Sequence, residues 1–197
     1  KFLINKRFWI AASTHQGEDL FCLKVHKKIK ERYKDIITII APRHINKAKE
    51  ISNLANSLGL KTQLLYKDEI ISDNKEIVII NSFGALQDYF KYAKSVFIGK
   101  SILKNLKDEG GQNPIDAAKL KCKIYHGPYV YNFEDIYEIL RKNGVAKKIE
   151  KYEELSEDLI KDLSNPQKKE DININYIKNL GQKTLEDTMV SINNFIK

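Results

Sequence analysis

Six short apolar runs, rich in β-branched and aromatic residues, constrain the fold of this chain more than any other feature. Several of them are nearly continuous in apolar character, which is typical of parallel strands covered on both faces. Amphipathic helical patterns lie between most of them. This alternation predicts an α/β fold, an open parallel sheet with helices on both faces. The predicted strands are residues 7–13, 35–41, 61–66, 76–82, 95–99 and 123–127.

From about residue 150 the pattern changes to helix only. Residues 152–163 form one amphipathic segment, and apolar residues recur at helical spacing through 172–197. Neither an internal repeat nor a low-complexity linker divides the chain. We therefore expect one domain over residues 1–150 and a helical segment over residues 151–197 that packs on it.

The composition is that of a soluble globular protein, with 42% hydrophobic and 30% charged residues among 197. The chain begins at Lys1, without an initial methionine and without a signal-peptide pattern, so we expect it to be part of a longer protein. Its net charge of +8 favours anionic partners: nucleotides, acidic sugars, nucleic acid or an anionic lipid surface. A solvated lysine-rich surface explains the charge equally well, because the lysines are spread along the chain.

Loops that follow parallel strands carry the ligand sites of such sheets. The first strand ends in ASTHQGED, which brings Ser13, Thr14, His15, Gly17 and Glu18 to the start of a helix. Hydroxyls and free N–H groups at this position suit a phosphate or carboxylate. An ordinary helix cap with a turn glycine is the alternative.

The second strand ends in APRH, which places Arg43 and His44 at the same edge of the sheet. A guanidinium group makes two-pronged contacts with a phosphate or carboxylate, although a surface arginine is the simpler reading.

The stretch DEGGQNPIDAA (108–118) concentrates turn-forming residues directly before a helix. Gly110 and Gly111 leave room for a ligand and allow positive φ, while Asn113 and Pro114 start the helix abruptly. Asp116, in its first turn, is suited to accept hydrogen bonds from sugar hydroxyls. Together these residues indicate an anion cradle, with a turn-rich loop as the alternative.

Three other classes of site are excluded or disfavoured by the sequence. The GKS at 99–101 lacks the earlier glycine of a P-loop, since position 94 is Lys94. No G-x-G-x-x-G follows the first strand, which argues against a dinucleotide site. Cys22, Cys122 and the four histidines have no metal-ligand spacing, so we expect no metal site.

These loops together resemble one family, the 3-deoxy-D-manno-octulosonic acid (Kdo) transferases of Gram-negative lipopolysaccharide synthesis. The likeness lies in WIAASTHQGED, APRH, FIG-S followed by GGQNPIDAA, and HGPYVYNF, in the family's order and at similar spacing. It covers roughly residues 7–140.

The resemblance implies the Rossmann-like C-terminal half of a GT-B-type glycosyltransferase, which binds the donor CMP-Kdo. The missing N-terminal half would bind the lipid A precursor, associate with the membrane and supply the catalytic acidic residue. We therefore expect no catalytic residue in this chain and no transfer by it alone. The reaction inverts the anomeric centre without a bound metal or other cofactor, at the cytoplasmic face of the inner membrane, whose anionic surface is a further expected partner.

The resemblance also implies roles for individual residues. Arg43 would bind the phosphate or carboxylate, residues 110–113 would supply backbone and amide donors, and Asn132 would close the pocket. The full donor-binding set is Arg43, His44, Ser82, Gly110, Gly111, Gln112, Asn113, Asp116 and Asn132. The acceptor side of the cleft would comprise Ser13, Thr14, His15, Gly17 and Glu18.

The chain departs from the family pattern at several of these positions. Gln112 replaces the usual histidine, Asp116 a glutamate, and Lys100 a second glycine. Asn81 and Ala85 stand where the family often has acids, so roles that depend on those acids are not carried over.

Two other functions remain open from the sequence. One is a GT-B transferase that uses a UDP- or GDP-sugar. The other is a non-enzymatic nucleic-acid-binding module, which the +8 charge allows. The aromatic residues fall within predicted helices and strands instead of interleaving with a basic stripe, so no nucleic-acid partner is expected.

Overall fold

The computed structural model describes residues 2–165 except 83 and 85. Its seven strands are β1 (Phe8–Thr14), β2 (Ile37–Pro42), β3 (Thr62–Leu65), β4 (Ile77–Ile80), β5 (Ser95–Ile98), β6 (Lys123–His126) and β7 (Ala146–Lys148). Its helices are α1 (Glu18–Arg32), α2 (Ala48–Ser57), α3 (Leu86–Phe90), α4 (Ile115–Lys119), α5 (Glu134–Lys142) and α6 (Tyr152–Asp162).

All seven strands form one parallel sheet in the order β3-β4-β2-β1-β5-β6-β7. The chain leaves β1 toward β2, β3 and β4 on one side and then crosses to β5 on the other side. A crevice therefore opens between the carboxyl ends of β1 and β5, the position where such sheets bind ligands. The predicted fold class is confirmed.

Each face of the sheet is covered by its own apolar core, as the near-continuous apolar strands predict. Helices α1, α2 and α6 pack with Trp9, Ile40 and Phe97 on one face. Helices α3, α4 and α5 pack with Ile10, Ile39 and Val96 on the other face. No helix of the described part is long and apolar enough to cross a bilayer.

The sequence interpretation missed β7 because this edge strand has only three residues, of which Ala146 is buried and Lys147 and Lys148 are exposed. Helix α6 packs on α1 through the buried Leu155 and Leu159, so the start of the predicted helical segment covers the sheet. The remainder of that segment, from residue 166 onward, lies outside the described residues.

Asp162, at the end of α6, ties this helix to the centre of the sheet. The side chain is almost fully buried and accepts hydrogen bonds from Ser95 Oγ (2.7 Å) and Tyr125 Oη (2.7 Å). Lys123 Nζ lies 2.8 Å from its other oxygen. Because a buried carboxylate is stable only with such partners, this cluster fixes where α6 docks on β5 and β6.

Replacing Asp162 with Ala should lower the free energy of unfolding by about 3 kcal/mol, because two buried hydroxyls and an ammonium group lose their acceptor. Urea denaturation followed by circular dichroism measures the loss. Glu138→Ala, which removes an exposed i,i+4 pair with Lys142, is the control and should leave the midpoint nearly unchanged. Equal midpoints for the two variants would contradict this role of Asp162.

Candidate functional site

A β-bulge at Ser13 shapes the mouth of the crevice. β1 pairs with β2 in regular register up to Ala12 and Ala41, and the register then shifts so that Thr14 is opposite Pro42. Ser13 takes up the extra length with a left-handed backbone (φ 55°), which is uncommon for a residue other than glycine. Bulges of this kind re-aim side chains beside functional sites.

The bulge brings three predicted site residues to one cavity of about 160 Å³ at the ends of β1, β2 and β4. Ser13, Arg43 and Ser82 all line it. The N–H of Arg43 donates to the carbonyl oxygen of Thr14 at 3.0 Å, which fixes the backbone. Its guanidinium is exposed and makes no hydrogen bond or ion pair with any described residue. An unpaired arginine at this edge is available to an anionic ligand.

His44 lies beside this cavity, opposite His15. The two imidazole rings meet edge to face, with centroids 5.7 Å apart. His15 is half-buried, and its Nδ1 lies 3.2 Å from the carbonyl oxygen of Ser13. Burial lowers the pKa of His15 below its usual range, so its neutral form prevails at pH 7.

The structure corrects the predicted place of Glu18. Its side chain is fully buried beneath the crevice and does not face an acceptor. Its two oxygens accept hydrogen bonds from four backbone N–H groups, those of His15 (2.9 Å), Lys100 (2.6 Å), Ser101 (2.8 Å) and Ile102 (3.0 Å). Glu18 therefore joins the loop after β1 to the loop after β5.

Asp19, next to Glu18 at the start of α1, is a titratable group that the sequence interpretation did not single out. It accepts a hydrogen bond from Thr14 Oγ1 at 3.1 Å and shares a cavity of about 150 Å³ with Gly17 and Glu50. Burial raises the pKa of Asp19 to about 6, an effect that the Thr14 hydroxyl partly offsets. The sequence feature that could have pointed to Asp19 is its position in the first turn of α1, directly after a polar loop.

Lys100 has a left-handed backbone (φ 57°) at the turn after β5, which explains why a glycine suits this position in the family pattern. Its N–H is held by Glu18, and its carbonyl oxygen accepts a hydrogen bond from Gly111 at 2.6 Å. Its ammonium lies 3.7 Å from the exposed carboxylate of Glu109. The turn thus holds a cation at the rim of the crevice.

Gly110 and Gly111 serve the protein's own packing more than the sequence interpretation assumed. A Cβ at Gly110 would collide with the carbonyl oxygens of Tyr129 and Leu106, so the close approach is to the chain itself. Gly111 has the predicted positive φ (96°). Its N–H is already bonded to Lys100, so it cannot serve as a ligand donor without losing that bond.

Among the neighbouring predicted residues, Asn113 and Asn132 form hydrogen bonds within the protein, whereas the Gln112 side chain forms none with any described residue. Asn113 Oδ1 accepts from the N–H of Ile115 at 2.9 Å, but the N-cap of α4 is Pro114, so the predicted helix start is displaced by one residue. Asn132 Nδ2 donates to the carbonyl oxygen of Glu109 at 2.7 Å and fixes this loop. The amide side chain of Gln112 has no partner among the described residues.

Asp116 lies exposed in the five-residue α4 and accepts a hydrogen bond from Gln87 at 3.2 Å. It remains accessible at the rim, so the structure leaves its expected contact with a sugar hydroxyl open. Within residues 2–165, apart from 83 and 85, no three His, Cys, Asp or Glu side chains are grouped so that they could hold a metal ion.

The chain is similar in sequence to proteins named 3-deoxy-D-manno-octulosonic acid transferase. One from Haemophilus influenzae is 27% identical over 136 residues, which cover 69% of this chain and 31% of that protein. One from Aquifex aeolicus is 28% identical over 152 residues, 77% of this chain and 40% of that protein. The chain thus spans well under half the length of these curated relatives. The resemblance inferred from the motifs is confirmed.

A solved structure shares the fold of this chain. The structure matches the C-terminal CMP-Kdo binding domain of WaaA from Acinetobacter baumannii with a TM-score of 0.74 over 84% of both chains. At 20% identity this match establishes a shared fold. No model of a known protein family matches the chain.

Glu18→Gln should lower the free energy of unfolding by about 3 kcal/mol. Whichever oxygen becomes the amide nitrogen, two buried backbone N–H groups lose their acceptor. Urea denaturation measures the stability, and hydrogen exchange should become faster at residues 100–102. Glu154→Gln, which alters one exposed contact with the N–H of Glu150, is the control. Unchanged exchange at residues 100–102 would contradict this role of Glu18.

Asp19→Asn should raise the free energy of unfolding at pH 7.5 by about 1–2 kcal/mol. Because the folded-state pKa lies above the unfolded value, the favourable contribution of Asp19 is fully present below pH 3.8 and is lost as the pH rises through about 6. Asparagine stays neutral and still accepts from Thr14. Urea denaturation at pH 4.5 should show a smaller gain, whereas an equal gain at both pH values would refute the assignment.

Proposed function

We propose that this chain is the donor-binding half of a Kdo transferase and holds CMP-Kdo at the carboxyl edge of the sheet, across the ends of β4, β2, β1 and β5. The observation that carries the proposal is the free guanidinium of Arg43, which shares a cavity with Ser13 and Ser82 at this edge. The sequence likeness to proteins named as Kdo transferases supports the choice of donor.

CMP-Kdo carries two anionic groups, the phosphate of CMP and the carboxylate of the sugar. The planar guanidinium of Arg43 can direct two N–H donors at two oxygens of either group, and it is proposed to bind the phosphate, whose charge grows as CMP leaves. The ammonium of Lys100, set by the turn after β5, adds a second cation at the rim. Ser82 and the Gln112 amide are left to supply neutral hydrogen bonds.

Asp116 is the proposed partner of the ribose hydroxyls. Gly111, Asn113 and Asn132 act on the ligand indirectly, by fixing the loop that carries Gln112. Ser13, Thr14 and His15 border the side from which an acceptor would enter. The sharp turns at Ser13 and Lys100 keep these groups preorganised, which reduces the ordering cost of binding.

The remaining parts of the reaction belong to the longer enzyme that we propose. An acceptor domain would bring the hydroxyl of a lipid A precursor to the anomeric carbon and supply the acidic residue that takes its proton. The carbon–oxygen bond to CMP then breaks with inversion and without a metal ion. The setting is lipopolysaccharide synthesis at the anionic cytoplasmic face of a Gram-negative inner membrane.

Arg43→Gln should weaken CMP binding by about tenfold or more, because a charge-assisted contact to the phosphate is lost. Titration of the ¹⁵N-labelled protein with CMP, followed by backbone amide shifts, measures the affinity. Arg32 lies in the last turn of α1, at the end of this helix that is far from the crevice. Arg32→Gln removes the same charge there, and this variant should bind CMP like the unmodified protein. Equal affinity for the two variants would remove Arg43 from the site.

The same titration discriminates the alternative functions. CMP should bind more tightly than UMP, UDP or GDP, and the shifts should cluster at residues 13–15, 43, 82, 100 and 110–113. Tighter binding of UDP or GDP would indicate a transferase for another sugar nucleotide. Salt-dependent retention of RNA or DNA that exceeds CMP binding would indicate a nucleic-acid module.

A further inference from the structure

A second cavity lies at the opposite edge of the sheet from the proposed donor site. Its volume is about 610 Å³, and it opens among the residues that precede β1, β2, β3 and β4. Five lysines line this cavity, the lysine pocket: Lys6, Lys30, Lys34, Lys61 and Lys75. No residue of the proposed donor site contributes to it.

The acidic side chains at the lysine pocket are largely neutralised from within the protein. Glu76 forms an ion pair with Lys30, and although burial acts to raise the pKa of its carboxyl, this contact and the hydrogen bonds from the Lys61 backbone N–H and His26 lower it. Asp35 pairs with Arg7 at 2.8 Å. Asp73 is the acid there that has no ion pair with any other described residue.

The other four lysines of the pocket, in contrast, form no ion pair within the described part of the chain. Lys6 stacks over the Phe2 ring, 5.0 Å from its centroid, and leaves its charge without a counterion. Four unpaired cations therefore face one unpaired carboxylate in a single concavity. Like charges that line one cavity repel where solvent does not screen them, and a bound anion would reduce that repulsion.

We propose that the lysine pocket is a second binding site, for a phosphate-bearing anion. Lysine binds phosphate as a compact point charge, and lysines supply all the basic side chains that line the pocket. Several separate ammonium groups suit a ligand with more than one negative charge. The volume exceeds that of one phosphate, and Phe2 and Ile36 offer an apolar wall to a further group.

This site is independent of the proposed function, because the two sites lie at opposite ends of the strands. CMP binding at the carboxyl edge tests the donor site alone. Anion binding at the lysine pocket tests the lysine pocket alone. The phosphate could belong to a soluble molecule or to a lipid headgroup. Both sources share the chemistry that the pocket recognises.

The test uses inorganic pyrophosphate with the ¹⁵N-labelled protein, at low ionic strength. Saturable amide shifts are expected at residues 34–37, 61 and 73–76. The double variant Lys34→Gln/Lys75→Gln should weaken pyrophosphate affinity about tenfold, as expected when two of four unpaired cations are removed. The control Lys142→Gln/Lys161→Gln loses the same charge from exposed positions on α5 and α6 and should retain full affinity.

A second arm uses vesicles of phosphatidylcholine with and without phosphatidylglycerol, and measures cosedimentation of the same variants. Pyrophosphate binding that the pocket variant alone weakens supports a soluble ligand. Retention on phosphatidylglycerol vesicles that the pocket variant alone loses supports a lipid headgroup. Binding that both double variants weaken equally, or no binding of either probe, would overturn the proposal.

Discussion

The buried carboxylate of Glu18 is the interaction on which the proposed site depends. Its four backbone hydrogen bonds join the first turn of α1, the loop after β1 and the turn after β5. A carboxylate removed from water is stable only when its oxygens are satisfied, so the loops on both sides of the crevice are held in one arrangement. Lys100 then passes the constraint to the glycine-rich loop through its carbonyl contact with Gly111.

This arrangement separates the residues that build the crevice from those that are free to bind. Some residues contact only the protein itself: Glu18 and Asn132 through hydrogen bonds, and Gly110 and Gly111 because the chain packs too closely for a side chain. The Arg43 guanidinium and the Gln112 side chain, in contrast, have no partner among the described residues. A site of this kind binds its ligand with little reorganisation, which is the usual advantage of functional groups on loops that a sheet positions.

The sequence predicted six of the seven strands and the edge of the sheet where the site lies, because apolar period and turn chemistry are local signals. It did not predict β7, because two of the three residues of this edge strand are exposed lysines and give no apolar pattern. It placed Glu18 at the surface because an acid in a first helical turn looks the same in sequence whether it faces water or backbone N–H groups. The packing of Gly110 on Tyr129 depends on residues far apart in the chain, which no local pattern reveals.

A crystal structure of this chain with CMP is the most direct test of the account. We predict that the phosphate lies within hydrogen-bond distance of the Arg43 guanidinium, at the carboxyl ends of β1, β2 and β4, with the loops around Glu18 unmoved. CMP absent from this edge, or bound here without contact to Arg43, would contradict this prediction.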